Sequence, residues 1–128
     1  MRTFLIALAI CAAIAVLPYH ARANSMLSES GLARIHKLGM ENGQFCMTDH
    51  EHFGESGAWG TLDEAKSHAV RSWSGFTRLE YGEVWANFEL AADKAMQCEE
   101  AITMRGDGWA CEVKARPCKA TERVWTMK

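Results

Sequence analysis

The sequence predicts a small α+β domain: one amphipathic helix packed on a small antiparallel sheet, in the order α-β-β-β, stapled by disulfides. Three observations carry that expectation. A capped stretch opening at Thr61 repeats its apolar residues with a helical period. The segment around "WACEVKARPC" alternates with a period of two. Four cysteines lie in a short chain behind an export-type leader.

The leader is the first element. Arg2 is a short basic start, Phe4 to Leu17 is an unbroken apolar run, and Pro18 ends it. Ala21-Arg22-Ala23 has the small-x-small form of a signal-peptidase site. The run falls short of the roughly 20 apolar residues that a spanning helix needs. Residues 1–23 are therefore expected to be a cleaved signal peptide, which removes Cys11 and delivers the rest to the periplasm or the exterior. Of 14 Lys and Arg, Arg2 and Arg22 leave with it, so 12 basic side chains face 16 acidic ones, a net charge of −4. That balance offers no basic stripe for nucleic acid. No second apolar run follows, so no transmembrane segment is expected in the mature chain.

Residues 24–45 are weakly patterned and read as a leader or a short helix, with Leu32, Ile35 and Leu38 on one side and Gly39 at its end. A compact domain is expected over 46–119, followed by a polar tail over 120–128. Within the domain, "TLDE" (61–64) is a capping box: the Thr61 hydroxyl can accept the Glu64 amide while the Glu64 side chain reaches back. Leu62, Ala65, Ala69, Trp73 and Phe76 then form an apolar stripe at helical spacing. Asp63 and Glu64 sit where the helix dipole favours anions, and Gly82 is placed to end the helix.

Beyond the helix, Trp109, Cys111, Val113 and Ala115 alternate with charged Glu112, Lys114 and Arg116, the pattern of a half-buried strand. "KAMQCEEAI" puts Met96, Cys98 and Ile102 on one face, and "RGDG" (105–108) supplies turn chemistry between the two strands. The third strand is expected in "EVWANFELA" (83–91), although Val84, Phe88, Ala91 and Ala95 also fit a helix. Trp73 and Phe76 would then meet Phe88, Met96 and Trp109 in the core.

An even number of cysteines in a short exported chain implies two disulfides. No pair has the C-x2-C or C-x4-C spacing favoured by structural zinc. Three connectivities are formally open. Strand parity favours Cys98–Cys111, and elimination then leaves Cys46–Cys118.

Trp73, Phe76, "YG" (81–82), "WANF" (85–88), Cys98, "WAC" (109–111) and "ARPC" (115–118), behind the loop "DHEHFG" (49–54), resemble a group of small exported bacterial proteins. The resemblance covers about residues 46–119. It implies export and the domain boundaries, and it transfers no catalytic residue.

Two functional readings follow. In "DHEH", His50 and His52 stand two residues apart and share a side of an extended backbone, a workable pair of zinc or copper ligands, with Asp49, Glu55 or His68 as further donors. The leading reading is instead a non-enzymatic domain that binds a macromolecule at the cell envelope. The loop 49–59 would be the contact region, and Trp59 and Trp125 would anchor the surface, since tryptophan is enriched at binding hot spots. No cofactor beyond a zinc or copper ion is implied. No catalytic constellation emerges: "GESG" around Ser56 lacks the G-x-S-x-G elbow, Cys46 near His50 would be oxidised, and Asp49 with Glu55 has too small a chain around it for a sugar cleft.

Overall fold

The computed structural model describes residues 31–121. The expected signal peptide, residues 24–30 and Trp125 lie outside the described residues. The described chain is α+β, with one helix and two three-stranded antiparallel sheets. The strands are β1 (Leu38–Glu41), β2 (Gln44–Met47), β3 (His52–Trp59), β4 (Ala92–Thr103), β5 (Gly106–Arg116) and β6 (Cys118–Ala120), and the helix α1 (Leu62–Tyr81) follows β3. One sheet has the order β1-β2-β6 and the other β3-β5-β4. Among the described residues, no helix is long and apolar enough to cross a membrane.

Helix α1 forms where its sequence places it. The Thr61 hydroxyl accepts the Glu64 amide at 3.2 Å, and the Glu64 carboxylate accepts the Thr61 amide at 3.2 Å. At the other end Gly82 takes a φ of 102° while its amide bonds the Arg78 carbonyl at 3.0 Å, a backbone that a side chain would resist. The buried row is Ala65, Ala69, Trp73, Thr77 and Tyr81, stepping four residues at a time. Phe76 lies about 100° around the helix from Thr77 and is exposed, as is Met96, so neither joins the core expected of them. Trp73 does: it is fully buried, meets Phe88 edge-on at 5.2 Å, and donates its indole N–H to the Ala115 carbonyl at 3.2 Å.

In the β4–β5 hairpin, β5 follows the expected parity, but on β4 Met96 and Ile102, expected on the inward face with Cys98, are exposed. Cys111, Val113 and Ala115 are buried, and Cys98 stands opposite Cys111. The loop is Met104–Arg105, with Gly106 at a φ of 119°, two residues upstream of the expected turn centre. Both disulfides form as expected, Cys98–Cys111 with the pairing that parity favours and Cys46–Cys118 with the one that elimination left.

Other expectations need correction. Residues 83–91 are not a strand. They fold as two 3-10 turns, Glu83–Trp85 and Phe88–Leu90, because Trp85 is fully buried and the Asn87 side chain accepts the Glu89 amide at 3.0 Å, a local turn that competes with extension. The third strand of that sheet is β3, from the stretch expected to be a displayed loop. Its glycines lower its strand propensity, yet they are what the packing needs. A β-carbon on Gly54 would collide with the Ala69 carbonyl and the Trp73 amide, so only glycine lets α1 lie this close. Gly57, with a φ of 68°, lies in a bulge between Glu55 and Ala58, and the Ser56 hydroxyl fills the gap by accepting the Cys111 amide at 2.8 Å. The element order is therefore β-β-β-α-β-β-β.

The segment before Cys46 also belongs to the folded unit. Its expected short helix is one 3-10 turn, Gly31–Ile35, and Leu38–Glu41 pairs with β2. Ala33, Met47, Tyr81 and Trp85 form a second buried cluster beside the main one of Ala65, Ala69, Trp73, Ala91, Cys111, Val113 and Ala115.

Candidate metal centre

The second cluster is capped by a group of polar side chains. Three elements deliver them: the 3-10 turn and its exit (His36), the connection from β2 into β3 (Asp49, His50, His52), and the last turn of α1 (Glu80, Tyr81). Tyr81 is the floor. It ends the buried row of α1, and the rings of His36, His50 and His52 stand edge-on to it at centroid distances of 5.3, 5.9 and 5.1 Å. The histidines are also arrayed on one another, with His50 at 4.8 Å from His36 and 5.3 Å from His52.

Glu80 precedes Tyr81 in the last turn of the helix, about 100° around it, and reaches this array from the side. Its Oε2 lies 3.0 Å from His52 Nε2, and His52 is buried. One ligand atom from each of His50, His52 and Glu80 falls within 4.8 Å of the others. Asp49 backs the group from the other side: it accepts the Lys37 amide at 3.2 Å and lies 3.3 Å from His36 Nδ1.

The electrostatics fit this packing. Burial, and then the neighbouring His36 and His52, push the His50 pKa down and favour its neutral ring. For Glu80, burial works against ionisation, but the hydrogen bond and charge of His52 outweigh it and hold the carboxyl below its ordinary range. The Lys37 amide does the same for Asp49, against a smaller opposing effect of burial. Burial and the adjoining Glu80 raise the Tyr81 phenol far above its usual range, so it stays protonated.

Of the residues expected from sequence, His50, His52 and Asp49 are brought together. Glu55 is not: it lies on the outer face of its sheet, opposite Glu112 and beside a cavity lined by Glu99 and Glu112. His68 is not either. It lies twelve residues from Glu80, about 18 Å along the helix, and stacks on Trp59 at 3.5 Å with the rings 10° apart. Trp59 in turn donates its indole N–H to the Ser56 carbonyl at 2.6 Å. Glu51, between the two histidines, pairs instead with Lys114 at 3.1 Å.

Sequence reasoning missed Glu80, His36 and Tyr81. Tyr81 was legible as the next step of the Ala65–Ala69–Trp73 row, whereas Glu80 lies off that row, about 100° around the helix, and no spacing marked it. His36 carried no signal, because its position depends on pairing between β1 and β2. No protein-family model, curated protein or solved structure matches the chain.

Proposed function

We propose that the exported domain binds one divalent transition-metal ion, zinc or copper, through His50, His52 and Glu80. The convergence of these three ligand atoms within 4.8 Å carries the reading. Zinc binds imidazole nitrogen and carboxylate oxygen at about 2.0–2.2 Å, which sets donors about 3.4 Å apart, so the most separated pair closes by up to about 1.4 Å around an ion. The donor set also fits. Two imidazoles suit zinc and copper, whereas magnesium and calcium favour oxygen alone. All four cysteines of the domain are bonded to one another, which leaves no thiolate to compete. The lowered pKa of His50 supports binding, because only the neutral ring offers a lone pair. Two disulfides fit an oxidising compartment, in keeping with export.

A macromolecular contact over 49–59 has less support. Much of that segment is strand β3, packed against α1, and Trp59 is engaged by His68 and Ser56. Native mass spectrometry during zinc and copper titration tests the metal reading. One ion per chain, removed by a chelator and lost in a His50→Ala/His52→Ala double variant with an unchanged circular dichroism spectrum, is the expected result. No stoichiometric adduct, or an equal adduct in the double variant, overturns it.

A further inference from the structure

We infer that His36 is the fourth ligand of this centre and that it closes the site, so that the ion is held rather than left with a coordination position open to solvent. The inference rests on the metal reading above and deepens it. His36 stands just outside the three residues whose ligand atoms already converge, and would join them by a turn of its ring; it shares the Tyr81 ring with His50 and His52, lies 4.8 Å from His50 centroid to centroid, and has a side chain only 17% exposed.

Its orientation is the second observation. Nδ1 faces Asp49 Oδ1 at 3.3 Å, so a proton on Nδ1 leaves Nε2 with the lone pair. A carboxylate behind a histidine is the usual outer partner of a metal-binding imidazole; it fixes the tautomer and raises ring basicity. Asp49 is itself fixed by the Lys37 amide and lies 12 residues from it in sequence, so the pair is built by the fold rather than by local chain geometry.

Coordination number then separates two kinds of chemistry. Three protein ligands with an open fourth position is the pattern of water-activating zinc, and four protein ligands is the pattern of a closed centre. With His36 included, three imidazoles and one carboxylate surround the ion. His36 also adds a topological consequence. The other ligands lie on the β2–β3 connection and α1, whereas His36 closes the 3-10 turn that buries Ala33 against Tyr81 and Trp85. Binding therefore pins residues 31–36 to the end of the helix.

The test compares the full chain with His36→Ala, His36→Gln and Asp49→Asn, using zinc and copper(II) as probes. Expected for both His36 variants is one ion per chain with zinc affinity at least about tenfold weaker, and for Asp49→Asn a loss of about tenfold. The copper(II) electron paramagnetic resonance spectrum should show one nitrogen fewer in the His36 variants. Zinc should slow amide exchange over 32–37 in the wild type and not in His36→Gln. Equal affinity with an unchanged nitrogen pattern in both variants overturns the fourth-ligand assignment while leaving the three-residue centre standing. Failure of the wild type itself to bind either ion overturns both. Apo melting curves of the variants separate a folding defect from a ligand defect.

Discussion

The two sheets are held in different ways. The β3-β5-β4 sheet has long strands and a continuous apolar layer, with Ala65, Ala69 and Trp73 of α1 meeting Cys111, Val113 and Ala115. The β1-β2-β6 sheet has strands of three or four residues, and Leu38, Met40 and Phe45 are all exposed. Specific long-range links hold it instead. Cys46–Cys118 crosses it, the Met47 amide bonds the Pro117 carbonyl at 3.0 Å, and the Arg116 guanidinium reaches over from β5. Arg116 bonds both carboxylate oxygens of Glu41 at 2.9 and 2.7 Å, the Met47 carbonyl at 2.9 Å and Asp93 at 2.8 Å, so one side chain touches both sheets. A periodic apolar pattern can build a layer. A short sheet without one depends on individual contacts between distant residues.

On that contrast, breaking the covalent link of the short sheet has the largest effect. Replacing Cys46 and Cys118 together by alanine should cost roughly 4 kcal/mol on the loop-entropy relation, because the bridge spans 72 residues. The same change at Cys98 and Cys111, spanning 13, should cost about 3 kcal/mol. Urea unfolding gives both values, and a reversed order would show that the short sheet does not depend on its bridge.

Next comes Arg116→Met, which leaves charged partners unanswered and should cost about 2 kcal/mol. Its pH dependence follows from Glu41, whose hydrogen bond to Arg116 lowers its pKa despite an opposing effect of burial. A group lowered in the folded state stabilises above its unfolded pKa and loses that contribution as pH falls through the folded value. The gap between wild type and variant should therefore narrow as pH drops from about 5 towards 3, and melting temperatures across that range check it.

The smallest effect should come from the layered side. Thr61→Ala removes the α1 cap, with an expected cost of about 1 kcal/mol and both sheets retained.

The same contrast explains what could be read in advance. The helix from its cap to Gly82, the inward parity of β5 and the Cys98–Cys111 pairing were legible because each rests on local periodicity, and Cys46–Cys118 followed only by elimination. β3 was not, since Gly54 and Gly57 look like loop residues until a helix lies against one and a bulge needs the other. Likewise "EVWANFELA" alternates convincingly, but burial of Trp85 and the Asn87 turn override the pattern. In the candidate centre, His50 and His52 were visible as a local pair. Their partners Glu80 and His36 come from elements 28 and 16 residues away from His52, distances over which spacing says nothing.

The 46–118 bridge also sets how tension would travel. A pull applied between residues 31 and 121 runs from β6 through the two sulfurs into β2 and on to the 3-10 turn. Everything from 47 to 117 is a side loop on that covalent path. The helix, the larger sheet, His50, His52 and Glu80 would carry none of the load along the backbone. His36 sits on the stretched strand of chain, so of the four proposed ion-holding side chains it would be the first dragged out of place.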